Sequence, residues 1–418
     1  MINMSSSMMY HIDNLNVQNE KISYQMATGT AIDKGSDDSM LHSRLINLDD
    51  KLRVSEGLSL QITKTQAVND TADDAIGEVK TSLESIKLDL MKALNDGMDR
   101  TDKLALATNL EGIRENLIDR MNSSIDGEYI FAGSVSSKET LVLDSEYELN
   151  GKVEYEGDGF LRKIAVEPGS YRDRGVTAYD VSFYTNSKAY ATEQLTFQDG
   201  ERIIDEGGYE WKVIDDLGGI YDSNDPARTA TAIQQYDHNG IIRDSATYPD
   251  SIIAISSTTA AVEASDTAQA TQMTFTTVAL NSSPEGRVLE AKHNYFDDLN
   301  VIINALEGHS TMLDGTRGSI ISDSLVDDSI QNGLEQTSQQ YDASNIGHGE
   351  LGGRNAVFNV AQERIESQVT NYNILIQEYG GADLAKLAME SKALELTYQS
   401  LYSTIAKMNN LSIIDYLK

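Results

Sequence analysis

Cysteine is absent from the 418 residues, which rules out a disulfide framework, a thiol nucleophile and Cys-ligated zinc, and leaves the redox compartment open. Proline is nearly absent: it occurs four times, at Pro168, Pro226, Pro249 and Pro284, and in neither flank. Since proline breaks helix interiors, both flanks are compatible with long uninterrupted helices. No run of about 18 apolar residues occurs, so no membrane insertion is expected. The start, Met1-Ile2-Asn3-Met4-Ser5, lacks the charged-then-apolar layout of a signal peptide, so the expectation is a soluble chain with no cleaved signal. Basic residues are scarce, 33 against 66 acidic ones, and the net charge of −33 repels phosphate backbones; no nucleic acid partner is expected.

Catalytic signatures are also missing. The histidines (His11, His42, His238, His293, His309, His348) are scattered, with no His-Glu-x-x-His pair to hold zinc and no Gly-rich Lys-Ser/Thr loop to cradle phosphates. Asp222, Asn224 and Asp225 offer oxygens, but their spacing fits no EF-hand loop, and an acidic surface turn is the default reading. Carboxylates are too numerous for any pair to stand out as an acid/base dyad. The chain is expected to be no enzyme, with no catalytic, cofactor or metal site.

What is present is apolar periodicity. Met8, Ile12, Leu15, Asn19, Ile22 and Met26 recur by fours and threes, a heptad seam. Leu384, Leu387, Ser391, Leu394, Tyr398, Leu401, Ile405, Met408 and Ser412 do the same at the other end. The first stretch stops at Gly29, before an N-cap at Ser36-Asp37-Asp38, and the last begins after Gly380-Gly381 with Asp383 in its first turn. Each end is thus a helix of roughly 26 to 30 residues, about 40 Å long. Their equal length suggests that they pair, with matched breaks between an inner and an outer helical layer. Two readings stand: a self-contained coiled coil, or pairs that pack side by side between copies and are loosely ordered in the monomer.

Further inside, Leu41 to Leu94 marks one helix and Leu106, Leu110, Ile113, Leu117, Met121 and Ile125 a second, closed by Asp126-Gly127. Phe296, Leu299, Ile303 and Leu306 mark a short helix, and Val357, Val360, Ile365, Val369, Tyr372 and Ile376 a long one. Between about 135 and 291 the period changes to two. Hairpin signals occur at Asn150-Gly151, Asp158-Gly159, Asp199-Gly200, Gly207-Gly208 and Asn239-Gly240, and the single tryptophan, Trp211, sits in a strand pattern. The fold class expected is α+β: a long antiparallel helical bundle or coiled coil formed by both chain ends, with a β-rich domain inserted in the middle. The divisions are 1–36 with 380–418 as a terminal coiled-coil layer, 37–134 with 292–379 as a helical rod, and 135–291 as the inserted domain.

These residues resemble the bacterial flagellins and their relatives at the hook–filament junction. Ser7-Met8-Met9-Tyr10, Gln25-Met26-Ala27-Thr28-Gly29 and Gly35-Ser36-Asp37-Asp38 are similar to the family's opening, with Ser39 where the family has proline. Gly127-Glu128-Tyr129-Ile130-Phe131-Ala132-Gly133 resembles its Gly-Arg-Tyr-Ile-Phe-Ala-Gly, with Glu128 in place of arginine. Leu351-Gly352-Gly353-Arg354-Asn355 resembles the start of its long return helix, and Leu411-Ser412-Ile413-Ile414-Asp415-Tyr416-Leu417 its closing segment, in the form typical of the junction branch.

The resemblance implies a structural subunit joining hook to filament as a homo-oligomeric ring, with hook-associated protein 1 on one side and filament flagellin on the other. Terminal helices would surround a central channel and the insertion would point outward. Export would be unfolded, through the flagellar apparatus, to the outside of the cell, with a chaperone on the C-terminal helix. The residues expected in assembly and packing are the seam positions Met8, Ile12, Leu15, Ile22, Met26, Leu387, Leu394, Tyr398, Leu401, Ile405 and Met408, together with Ile413, Tyr416 and Arg354. Tyr129, Ile130 and Phe131 are either core residues or subunit contacts. Filament flagellin itself, or a flagellar subunit whose insertion acts as an adhesin or binding module, are the alternatives.

Overall fold

The computed structural model describes residues 2–94, 98–143, 152–190, 193–198, 200–221, 228, 230–236, 252–254, 257–260, 271–276, 288–312 and 315–416. The elements run α1 (Ile2–Thr28), α2 (Ser39–Ala93), α3 (Arg100–Met121), β1 (Ser124–Ile125), β2 (Glu128–Tyr129), β3 (Leu141–Leu143), β4 (Val153–Tyr155), β5 (Arg162–Glu167), β6 (Ser170–Arg174) and α4 (Ala178–Val181). They continue β7 (Phe183–Tyr190), β8 (Gln194–Gln198), β9 (Arg202–Asp205), β10 (Glu210–Asp215), β11 (Ala230–Tyr236), β12 (Ile252–Ala254), β13 (Ser257–Ala260) and β14 (Thr271–Thr276). The last are β15 (Val288–Asn294), α5 (Tyr295–Leu306), β16 (His309–Thr311), β17 (Arg317–Ile320), α6 (Asp323–Gly380) and α7 (Leu384–Tyr416). Two compact units result: Met1–Gln61 with Ala361–Lys418, and Ile62–Val360. No helix among the described residues is long and apolar enough to cross a membrane.

The second unit holds two cores. In the helical one, the row Val68, Ala72, Ile76, Val79, Leu83, Ile86 and Leu90 of α2 packs with Leu106, Leu110, Leu117 and Met121 of α3 and with Phe296, Leu299, Ile303 and Leu306 of α5. The other lies in the inserted strands, where Trp211, Phe197, Leu195, Ile203, Ile233 and Leu289 cluster. A six-stranded sheet of order β12-β11-β10-β9-β15-β7 and a three-stranded sheet of order β13-β14-β8 form this region. As the pattern predicts, Trp211 lies in a strand and Gly207-Gly208 turns β9 into β10, with Gly208 at φ +80°.

Four expectations are corrected. The helix carrying Leu106 ends at Met121, so Ile125 is not helical; Asp126-Gly127, both at positive φ (53° and 80°), make the two-residue turn of a hairpin pairing Ile125 with Glu128. Asp-Gly is a strong hairpin signal because a turn of this kind needs left-handed residues. Next, Gly352-Gly353 does not start the return helix, since α6 spans 58 residues that include six glycines. Packing outweighs their helix cost of about 1 kcal/mol each at two of them: a Cβ on Gly333 would lie 2.5 Å from Ile302, and one on Gly347 2.5 Å from the Asp180 carbonyl. Third, Val357 and Val360 are exposed, and Phe358 and Ala361 face inward instead. Finally, Asp158-Gly159 is a loop and no hairpin: the Asp158 carboxylate accepts from Ser134 N (2.7 Å) and Phe160 N (3.1 Å). Asn150-Gly151, Asp199, Asn239-Gly240 and the Asp222–Asp225 cluster lie outside the described residues.

A charged knot ties β15 to α5. His293 holds Glu201 through Nδ1 (3.2 Å) and Asp298 through Nε2 (3.0 Å), and Tyr184 donates to Asp298 at 2.9 Å. Burial alone would lower the imidazole's pKa, but the two carboxylates outweigh it and push it up to about 10, above the ordinary 6.5. A raised pKa means that the folded state keeps a proton which the unfolded chain releases. This stability is therefore full below pH 6.5 and lost as pH rises through 10. Urea unfolding followed through Trp211 fluorescence should show a falling midpoint between those values; His293→Ala should flatten that slope and lower stability at pH 7 by roughly 3 kcal/mol.

Candidate assembly surfaces

In the first unit the two terminal helices pair. Tyr398 donates to Asn16 Oδ1 at 2.7 Å, while Ala31 N bonds Gly380 O (2.7 Å) and Ala382 N bonds Gly29 O (2.9 Å), so α1 and α7 run antiparallel. The breaks at Gly29 and Gly380-Gly381 face one another through an antiparallel bridge, Thr30 to Gly381. Gly29 takes φ +72° and closes α1 through its N–H to Gln25 O. Asp38 caps α2, accepting from Met40 N and Leu41 N, and Asp383 caps α7, accepting from Lys386 N at 3.0 Å; it therefore stands just before the first turn. Arg44 adds a bond to Tyr379 Oη (2.9 Å) with its guanidinium 4.0 Å from the ring centroid.

The predicted seam is the strip this pair covers. Ile22, Leu387 and Leu394 are buried; Met8, Ile12, Leu15, Tyr398, Leu401 and Ile405 are half-buried. Met26 and Leu384, nearest the break, are exposed at 45% and 56%, because there the chains meet through backbone. The side chains of Met408, Ile413 and Tyr416 lie outside the described ones.

The rest of both helices faces outward, and it is not uniformly polar. Tyr10 (66%), Val17 (65%) and Tyr24 (39%) repeat every seventh residue along α1, and Met389 (68%), Leu396 (57%) and Tyr402 (58%) lie exposed on α7. Each helix thus carries a second apolar row on the side away from the seam, and the sequence pattern alone did not separate it from the first. Charge is sparse here: α1 carries Asp13, Glu20 and Lys21, while α7 carries Lys386, Lys392 and Lys407 against Glu390, Glu395 and Asp415. The pair is almost neutral in a chain of charge −33.

Residues 127–133, in the second unit, form a backbone hub. Tyr129 N bonds Ser136 O (2.8 Å), Ile130 N bonds Ser123 O (3.1 Å), and Phe131 O accepts from Ala178 N (3.0 Å) and Tyr155 Oη (3.2 Å). Phe131 and Ile130 are buried and Tyr129 is half-buried. Glu128 meets Arg162 at 2.7 Å and Arg174 at 3.5 Å, both on the β5–β6 hairpin, and these hold its carboxyl below the usual range. Arg354 donates to Gly175 O (2.6 Å) and pairs with Glu350 (2.9 Å), so its contacts are internal to the unit.

Architecture and surfaces define a class: a chain whose two terminal helices pair, leave an apolar face open, and carry a β insertion between them. Residues 2–136 match the bacterial flagellin N-terminal helical region. Flagellar hook-associated protein 3 of Salmonella typhimurium is 31% identical over 136 residues, covering 31% of this chain and 43% of that protein; its Escherichia coli namesake is 29% identical over the same length. The match therefore spans under half the length of these relatives. Over residues 2–136 the chain is therefore similar to the flagellin family. Among solved structures, FlgL of Xanthomonas campestris aligns over 79% of this chain and 99% of its own at 12% identity (TM-score 0.47). The flagellar junction protein FlgL of Legionella pneumophila aligns over 82% and 100% at 13% identity (TM-score 0.43).

The break yields a test. A Cβ on Gly381 would lie 2.4 Å from the Gln377 carbonyl oxygen, whereas one on Gly57, in α2, meets nothing within 4 Å. Gly381→Ala should cost roughly 1–3 kcal/mol and strip hydrogen-exchange protection from the Ala31 and Ala382 amides; Gly57→Ala should stabilise by about 0.5–1 kcal/mol.

Proposed function

We propose that this chain is a structural subunit of the bacterial flagellum that joins hook to filament, polymerising through its terminal helices. The observation that carries the proposal is the near-neutral helix pair with its exposed apolar rows, Tyr10, Val17 and Tyr24 on α1 and Met389 and Leu396 on α7. An exposed apolar stripe of this length on a surface otherwise rich in acid marks an interface between molecules. Copies can bring such stripes together without the repulsion that the rest of the chain would meet. In this reading the seam from Met8 to Ile22 and from Leu387 to Ile405 holds each pair together, and the outer stripe joins pairs into a homo-oligomeric ring.

The name of the relatives, hook-associated protein 3, favours the junction over the filament itself. The partners we infer are hook-associated protein 1 and filament flagellin, with a chaperone on α7 during export through the flagellar apparatus. The absence of cysteine suits passage of the unfolded chain. A structural role asks for no catalytic residue. Deletion separates the two flagellar readings: loss of a junction subunit leaves hooks that shed flagellin, whereas loss of flagellin leaves a capped hook.

Val17→Asp, at a position 65% exposed, should leave the helical content and melting of the monomer unchanged while abolishing incorporation into flagella. In the unaltered chain, limited proteolysis read by mass spectrometry should remove segments 1–36 and 380–418 from the monomer and spare them after mixing with hook or filament. Normal incorporation of the Val17 variant, with termini already resistant in the monomer, would reduce the pair to a self-contained coiled coil.

A further inference from the structure

The six-stranded sheet covers its core with one face; on the other lies a cavity of about 310 Å³ that the assembly reading leaves unused. Its floor is Ile204, Val288, Glu290 and Lys292 from β9 and β15, with Tyr179 of α4 beside them. Glu350 and Arg354 of α6 stand at the far side. One wall is built from two loops that touch through glycine: a Cβ on Gly159 would lie 2.7 Å from Gly208 O, and one on Gly208 2.3 Å from Gly159 O. The Gly159 loop is locked from behind by the Asp158 carboxylate on Ser134 N and Phe160 N, and by Tyr155 Oη on Asp158 O (2.7 Å). The wall is therefore preformed, and its volume sits at the small end of ligand pockets.

The lining selects for chemistry. Its two cations are already paired, Lys292 with Glu290 at 3.0 Å and Arg354 with Glu350 at 2.9 Å, and Glu290 also holds Lys188 at 2.7 Å. These cations hold the Glu290 carboxyl down at about 2 despite burial. An anion would have to break one of these pairs in a lining where five carboxylates face two cations, which disfavours it. Hydroxyl groups, by contrast, can add to the spare N–H groups of Lys292 and Arg354 and to the remaining lone pairs of Glu290 and Glu350 without displacing anything. Ile204 and Val288 offer an apolar floor for C–H groups.

We propose that this cavity binds an uncharged polyol, a sugar residue, with Lys292, Glu290, Glu350 and Arg354 bonding its hydroxyls. The test is saturation-transfer NMR on the full chain with glucose, galactose, mannose and N-acetylglucosamine, and with putrescine and glutarate as charged controls. At least one sugar should bind with a dissociation constant on the order of 1 mM, weakened about tenfold by Lys292→Met, which keeps the apolar stem and removes the donors. Glu350→Gln on the rim gives the same readout should Lys292→Met melt early. Transfer to none of the sugars, a response unchanged in both variants, or binding of putrescine alone would overturn the assignment.

Discussion

The pairing of the terminal helices depends on one backbone contact, the bridge at which Gly29–Ala31 and Gly380–Ala382 bond each other across the length of the chain. Closing so long a loop costs little more than closing a short one, about 0.6 kcal/mol per doubling. The harder cost is ordering two helices that, among the described side chains, bury only Ile22, Leu387 and Leu394 fully between them. That cost is met before α1 and α7 begin. In the same unit Ser59 accepts from Gln362 (2.9 Å), and Arg44 holds Tyr379, so α2 and the end of α6 are already side by side. They deliver the two breaks to one place, and the bridge then sets the register in which the terminal helices pair. A marginal pair positioned by a firm base can remain open to further partners, which a thick self-contained bundle could not.

Charge acts on the same choice. Almost the whole net charge of −33 lies outside α1 and α7. In the proposed assembly, like-charged copies would repel through their middles and meet at their near-neutral helices, so the apolar row at Tyr10, Val17 and Tyr24 would gain selectivity from acid placed elsewhere.

The helical seams were legible because period and caps agree: Gly29, Asp38 and Asp383 end or start helices as their chemistry dictates. What failed did so for tertiary reasons. Asp126-Gly127 carries the same signal for a helix stop and a hairpin, and only the pairing of Ile125 with Glu128 decides between them. Gly352-Gly353 reads as a break, yet α6 continues through it; of the helix's glycines, Gly333 and Gly347 are held by close approach to Ile302 and Asp180. Val360 and Phe358 compete for the inward row, and the larger ring wins the core at full burial. The knot at His293 left no trace in the sequence, since Glu201 lies far from it along the chain and joins it only when β9 and β15 pair. The outer stripe on α1 is invisible for a different reason: apolar residues on two faces of one helix show which positions are apolar, and only a partner's placement shows which face is covered.

Glu128 shows how a shared frame takes a private insertion. The family-like stretch from Gly127 to Gly133 does most of its bonding through backbone, to Ser123, Ser136, Ala178 and Asp158, so it tolerates almost any inserted strands that supply N–H and C=O groups. Its one departure in sign, glutamate where the resembling motif has arginine, faces Arg162 and Arg174 of the first inserted hairpin. Arg174 is itself largely buried, and an arginine at 128 would place three guanidinium groups around one point. The sign at 128 is therefore set by the insertion: once the hairpin brought two arginines to the hub, the frame residue facing them had to be an acid.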